Sequence, residues 1–370
     1  MIGKNLIEKP VRTGIVILVL AVYLSAARPL LARTIAYISN ADSREIYVLE
    51  LNERSGSVQL IEKVAVTGSV MPLAISPDRR YLYAGLRSEP YSVSGFAIDS
   101  ASGKLKLLST MPLADNMAYI SIDRSGRYLF GASYAGSKIS VNKIEQNGTV
   151  STQPLAVIPT GKNAHCILTD LSNNFLYASN LGDDIIKQYR FDAANGAVTP
   201  NEPPAVSTKT KAGPRHFVFH PNRRFVYGIN ELDGTVNTYS LNVSGILSLL
   251  DSISIMPPNS AEKPWAADLH LTPDGKFLYA SERTTSSLAA FRVDPASGKL
   301  SFVERLPTEA QPRGFNISPD GKYLLAVGQK SNGLSVYKIQ KQTGKLRQTS
   351  EMKVGENPNW VEIIKLPSRN

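Results

Sequence analysis

In the stretch AGPRHFVFHPNRRFVYGINELDG, from Ala212 to Gly234, Arg215 and His216 stand just before one short apolar run and Glu231 just after the next. Guanidinium, imidazole and carboxylate groups gathered in one place can serve a reaction, or they can simply satisfy one another as a buried ion-pair network. Several familiar chemistries are absent. There is no G-x-S-x-G elbow, no H-E-x-x-H, no Gly-rich dinucleotide loop and no paired cysteines for zinc, so neither a metal nor a cofactor is expected. Cys166, the only cysteine, follows His165 directly. Neighbours in a strand point to opposite faces, so the two are not read as nucleophile and base, and Cys166 is read as a small core residue.

Which elements could bring Arg215 and Glu231 together follows from a repeat. SPDRRYLYAGL, DRSGRYLFGAS, LSNNFLYASN, HPNRRFVYGIN, TPDGKFLYASE and SPDGKYLLAVG each join a polar turn to an aromatic-led apolar run. Their lead aromatics are Tyr81, Tyr128, Phe175, Phe225, Phe277 and Tyr323, spaced by 47, 47, 50, 52 and 46 residues, and TIAYISN at Thr34 supplies a seventh copy without its turn. A second Gly-containing hairpin turn recurs in the same frame, as in DSASGKLKL and DPASGKLSF. Each period therefore holds four short antiparallel strands, A to D, and seven periods predict an all-β, seven-bladed β-propeller. The repeat opens on a strand B and closes on an orphan strand A, NWVEII, so the C-terminal strand is expected to complete the first blade and close the ring.

In such a blade, residues just before strand A and just after strand B converge on one face of the disc, near the central channel. The first position carries Met71, Ala118, His165, Arg215, Ala267, Arg313 and Asn359; the second carries Ala41, Arg87, Tyr134, Leu181, Glu231, Arg283 and Gln329. Two polar rings are thus predicted at the channel mouth, above strand interiors of Val, Ile, Leu, Phe and Ala. Asp268 and Glu282, near Arg283, fit the same network. His220 falls in an A-to-B turn on the opposite face, and His270, on the side of its strand that carries Asp268, is read as a packed channel histidine.

The chain of 370 residues is 42% hydrophobic, which excludes disorder, and its formal charge of +10 is scattered rather than clustered, which argues against a nucleic-acid partner. Residues 1–32 stand apart. Lys4, Lys9 and Arg12 precede an apolar run from Ile15 to Ala27 that is short for a bilayer span and leads into small residues, ending at Ala32. They read as a cleaved signal peptide, with an uncleaved membrane anchor as the alternative, ahead of a single propeller domain over residues 33–370. Export to the periplasm or medium is expected, with no stable membrane association after cleavage. Nothing in the sequence sets the oligomeric state.

GPRHFVFHPN, NEL, WAADLHLTPDGKFLYASERT, QPRGFNISPDGKYLLAVGQKS and the C-terminal NPNW resemble the propeller-type 6-phosphogluconolactonases, a family that includes fungal carboxy-muconate cycloisomerase. The resemblance runs from Thr34 to Lys365. It implies opening of a sugar lactone, 6-phospho-D-glucono-1,5-lactone above all, without metal or cofactor. It also implies a catalytic set of His165, Arg215, Glu231 and Arg313. Lactone hydrolysis needs an activated water and positive groups where the carbonyl oxygen becomes negative. The arginines are assigned to that oxygen and to substrate anions, and His165 to the base, with Glu231 orienting it or the water, or serving as base itself. Substrate binding is assigned to Arg87, His216, Asp268, Arg283, Gln329, Lys330 and Asn359. The leader departs from the cytoplasmic pattern of the family, which leaves an exported lactonase for an unphosphorylated lactone as one alternative and a non-catalytic binding platform as another.

Overall fold

The computed structural model describes residues 1–3 and 33–367. The leader reading lies outside the described residues except for its first three. The described chain folds into seven four-stranded antiparallel sheets, with one 3₁₀ turn at Leu181–Asp183 as the sole helical element among them. Strands are numbered β1 to β28 in chain order. The first strand of each repeat lies innermost: β4 (Val70–Ile75), β8 (Met117–Ile122), β12 (Ala164–Thr169), β16 (Pro214–Phe219), β20 (Ala266–Leu271), β24 (Pro312–Ile317) and β28 (Pro358–Lys365). These seven touch in succession around a circle, and β28 returns to β4.

The ring closes as the repeat frame requires. β28 pairs antiparallel with β1 (Thr34–Asn40), Thr34 opposite Lys365 and Ile38 opposite Val361, so the inner edge of the first blade is covered by the far end of the chain.

The two recurring sequence elements prove to be partners across blades. The hydroxyl of Tyr83 donates to the carbonyl of Gly148, in the C-to-D turn of the next blade, at 2.9 Å. Tyr37, Tyr177, Tyr227 and Tyr279 repeat this latch on Gly103, Gly245, Gly298 and Gly344. Gly148 has φ of +84°, and a Cβ there would run into the Tyr81 ring of the preceding blade, so the turn needs glycine twice over. Seven apolar clusters fill the seven gaps between successive blades. Burial of that surface, at roughly 25 cal/mol per Å², holds the blades face to face.

Candidate active site

Every inner strand carries a register shift near its start, between Val70 and Leu73 in β4, Pro214 and Phe217 in β16, and at matching places in the other five. A bulge breaks the strict alternation of a strand and re-aims its side chains. In β16 the consecutive residues Arg215 and His216 consequently meet, Nη1 of the arginine lying 3.2 Å from Nε2 of the histidine. Alternation alone therefore does not separate neighbours at this level, although Cys166 is buried as expected, and burial raises its thiol pKa. Its backbone N–H is taken by Ser179 Oγ.

The third residue of several inner strands reaches the axis. Tyr119 of β8 packs edge-on against His216 of β16 (centroids 5.1 Å) and against Trp360 of β28 (5.0 Å), while His216 and Trp360 are 5.7 Å apart. These three come from blades that are not neighbours in the ring, so they join across the channel and floor the mouth. His165 adjoins this floor, 5.1 Å from His216 by ring centroids, and packs edge-on against Tyr134.

Above the floor the charges are unbalanced. Glu231 Oε2 lies 2.9 Å from Arg215 Nε and 2.9 Å from Arg283 Nη2. Both arginine side chains are 1% exposed, and both also donate to backbone: Arg215 to Ala267 O, and Arg283 to Trp265 O and Ala266 O. The Arg215 Nε–H does not point along its contact, so that interaction is an ion pair rather than a hydrogen bond. Burial raises the carboxyl pKa of Glu231, but Arg215, Arg283 and Arg313 more than offset it and keep the group ionised. Burial and then Arg215 bring the Arg283 guanidinium down to about 9.

Arg313 differs. It forms no hydrogen bond or ion pair to a described residue, and burial followed by repulsion from Arg215, Arg283 and Arg87 lowers its pKa. Arg87 is turned into the same field, donating to Asn116 Oδ1 and lying 3.4 Å from Met71 Sδ. Four guanidiniums thus face one carboxylate, an arrangement that calls for an anion. His165 is buried with Nδ1 unpartnered. Its pKa falls well below 6.5, chiefly by burial and then by Arg215, His216 and Arg313, so the imidazole is neutral.

Beneath them runs a fixed chain. Arg215 has no acceptor atom, so the facing His216 Nε2 must hold the lone pair and its Nδ1–H donates to Asp268 Oδ1 at 2.8 Å. Asp268 Oδ2 stands 3.3 Å from His270 Nε2, and the backbone N–H groups of Leu269 and Phe315 complete its set of donors.

The structure therefore gathers His165, Arg215, Glu231, Arg313, Arg283, Arg87, His216 and Asp268, and corrects four expectations. Glu231 is held between two arginines and does not orient His165. Gln329 donates to Asn357 Oδ1, Lys330 is exposed, and the Asn359 amide donates to backbone carbonyls, so these three brace or border the mouth instead of converging on it. Glu282 accepts from the backbone of Trp265 and Thr285 and, as expected, also acts on the nearby Arg283 through its charge. His270 packs edge-on against Phe315 as read, and also contacts Asp268 on the same side of its strand. His220 lies in its A-to-B turn as read, with Nε2 3.0 Å from the carbonyl oxygen of Gly275. Sequence reasoning missed Tyr119, Trp360 and Glu362 in the channel; their signal was the inner-strand position they share with His216 or His270. A groove of about 630 Å³ lies on the opposite face among A-to-B and C-to-D turns and contains none of these groups.

The profile of the family described as "Lactonase, 7-bladed beta-propeller" matches residues 33–363, nearly the whole described ring. The chain belongs to this lactonase family. Among curated relatives of the propeller, the 6-phosphogluconolactonase of Serratia proteamaculans is 39% identical over 333 residues, covering 90% of this chain and 99% of the relative. That of Pectobacterium atrosepticum is 37% identical over the same shares. Among solved lactonase folds, the periplasmic gluconolactonase of Pseudomonas aeruginosa superposes with a TM-score of 0.84 at 28% identity, covering 90% of this chain and all of that one.

Proposed function

We propose that this lactonase-family propeller hydrolyses 6-phospho-D-glucono-1,5-lactone to 6-phosphogluconate, using His165 and Arg313 at the channel mouth. The observation that carries the reading is the pairing of a neutral, unpartnered imidazole with an unpaired guanidinium in a mouth that holds four arginines against one carboxylate. His165 takes a proton from the attacking water as its oxygen bonds to the lactone carbonyl carbon. Arg313 faces the oxyanion that forms, with donors that need no reorganisation. Collapse of that intermediate breaks the ring C–O bond, the proton on His165 passes to the leaving oxygen, and the open-chain acid releases its own proton to solvent as the carboxylate. Arg215, fixed by Glu231 and His216, sets the field in which this occurs. A phosphate on the substrate also supports the reading, since a dianion near Arg313 and Arg87 offsets the repulsion that lowers the His165 pKa and makes the imidazole a stronger base.

A second reading rests on the N-terminal sequence. The basic start, short apolar run and small residues ahead of Thr34 favour an exported enzyme, and an exported enzyme meets unphosphorylated aldonolactones. One experiment separates the readings: pH-stat assay of 6-phosphogluconolactone and glucono-1,5-lactone side by side, with mass spectrometry of the N-terminus in cytosolic and extracytoplasmic fractions. At least a tenfold preference for the phosphorylated lactone is expected. A preference for the plain lactone, with a new N-terminus at Arg28 or Arg33 outside the cytoplasm, reverses the assignment, and no lactone opening at all overturns both.

A further inference from the structure

The connection from β19 (Leu247–Ser254) to β20 is the longest of its kind. Residues 255–265 span it, where the other outer-to-inner connections take four to six. It lies on the face of the mouth, and it is built rather than loose. Arg305 clamps its start through the carbonyls of Ile255 (3.1 and 2.7 Å) and Met256 (2.6 Å). Thr284 Oγ1 donates to Lys263 O at 2.9 Å, and Trp265 N–H donates to Glu282 Oε1 at 2.6 Å.

These anchors place Trp265 beside the charged centre. The Arg283 guanidinium lies 3.9 Å from the centroid of the indole, covering one ring face, and the same guanidinium holds Glu231. Trp265 nonetheless remains 38% exposed, and neighbouring Leu232 37%. The exposed part of the indole walls a cavity of about 350 Å³, whose other walls are Glu231, Leu232, Glu262, Lys263, Pro264 and Thr284. The cavity adjoins the catalytic mouth, since Glu231 lines it and also pairs with Arg215 and Arg283. Its lining is amphipathic: an aromatic platform with two apolar neighbours, bordered by carboxylate, ammonium and hydroxyl groups. A pyranose ring is amphipathic in the same way, with apolar C–H faces and a hydroxyl edge.

We infer that Trp265 is the platform of a sugar-ring subsite, on whose exposed indole face the non-reacting part of the substrate ring lies while Glu262, Lys263 and Thr284 meet its hydroxyls. The inference rests on the lactonase reading for its substrate, and goes beyond it by assigning ring selectivity to a segment outside the repeat. A platform that holds substrate and transition state equally raises affinity without touching the chemical step. The full chain contains two tryptophans, Trp265 and Trp360, so Trp360→Phe leaves Trp265 as the only indole reporter.

Two measurements test the subsite. In the Trp360→Phe protein, titration with glucose 6-phosphate, a pyranose without a lactone bond, should change Trp265 emission saturably. In the otherwise native chain, Trp265→Ala should raise KM for the sugar lactone about tenfold, equal to about 1.4 kcal/mol, with kcat within about threefold, and Trp265→Phe should recover most of the loss. Unaltered KM in a folded Trp265→Ala protein, or emission indifferent to the sugar at saturating concentrations, overturns the subsite while leaving lactone hydrolysis standing. If the parent opens no lactone, the catalytic reading fails, and the emission titration still decides the subsite. Should Trp265→Ala not fold, Trp265→Leu and the emission titration carry the same two outcomes.

Discussion

Arg215 Nε lies 2.9 Å from Glu231 Oε2, and the side chains are 1% and 13% exposed. The carboxylate is also the ion-pair partner of Arg283, so one negative group compensates two buried cations. Removing the negative member of a buried cluster leaves uncompensated charge, which costs roughly 3–5 kcal/mol. Glu231→Gln is therefore expected to lower the melting temperature markedly as well as the activity. Calorimetry beside lactone assays checks this, and a variant that melts like the parent would show the cluster to be held by something other than its charges.

Arg313 should behave in the opposite manner. It has no hydrogen-bond or ion-pair partner among the described residues to abandon, and burial with repulsion from Arg215, Arg283 and Arg87 outweighs the attraction of Glu231, so Arg313→Ala should leave the melting temperature unchanged or raised. Activity should fall by on the order of 10² to 10³ in kcat, the range for loss of one oxyanion donor. Arg313→Lys should recover little, because an ammonium lacks the planar fork. Equal kcat in Arg313→Ala and parent would remove it from the reaction.

The pH dependence of stability has a sign that follows from His216. Burial, and next Arg215, lower its pKa from 6.5 to about 4 in the folded protein. The unfolded chain thus binds a proton between these values that the folded chain does not, so stability is full above about 6.5 and is lost as the pH falls toward 4. His165 is shifted the same way and adds to this loss. His270 has the opposite sign: burial lowers its pKa, Asp268 more than offsets that, and its contribution fades as the pH rises through the elevated value. Melting temperatures from pH 7.5 to 4 should therefore drop below about 6.5, and His216→Gln should flatten the drop. A slope unaltered by that substitution would assign the effect elsewhere.

Closure by β28 is testable by truncation. Without Pro358–Asn370, β1 loses its inner partner and exposes an unpaired edge, and β24 and β4 lose the strand between them. The shortened protein should aggregate or melt at least about 10 °C lower, since loss of one strand's packing amounts to several kcal/mol. Sedimentation and thermal melts decide this, and a monomeric truncation with parental melting would contradict the closure.

Much of this architecture was legible because a propeller is periodic. The spacing of lead aromatics from Tyr81 to Tyr323 gave the blades, and counting from them gave Arg215, Glu231 and Arg313 their common face. The counting treated each strand as ideally alternating, and there it stopped short. The bulge that lets His216 touch Arg215 is a backbone event, whose skipped residues differ from blade to blade: Met71-Pro72, Ala118 alone, Arg215-His216. The division of the candidates into clamped (Arg215, Glu231) and unpaired (Arg313) was equally hidden, because it depends on distances around the ring rather than along the chain. Trp265 opened one of the motifs that carry the family resemblance, but it fell outside the two ring positions and so received no role. The only trace of its loop was the interval of 52 residues between Phe225 and Phe277, the longest in the series.

The pairing of Thr34 with Lys365 also sets an order of events. A ribosome adding about 5–20 residues per second takes on the order of tens of seconds to travel between them. Throughout that time β1 exists without its inner neighbour, and Trp360, which with Tyr119 and His216 floors the site, has not been made. A growing chain, however many blades it has already formed, therefore has no finished reaction centre, and competence arrives in a single step with the last strand.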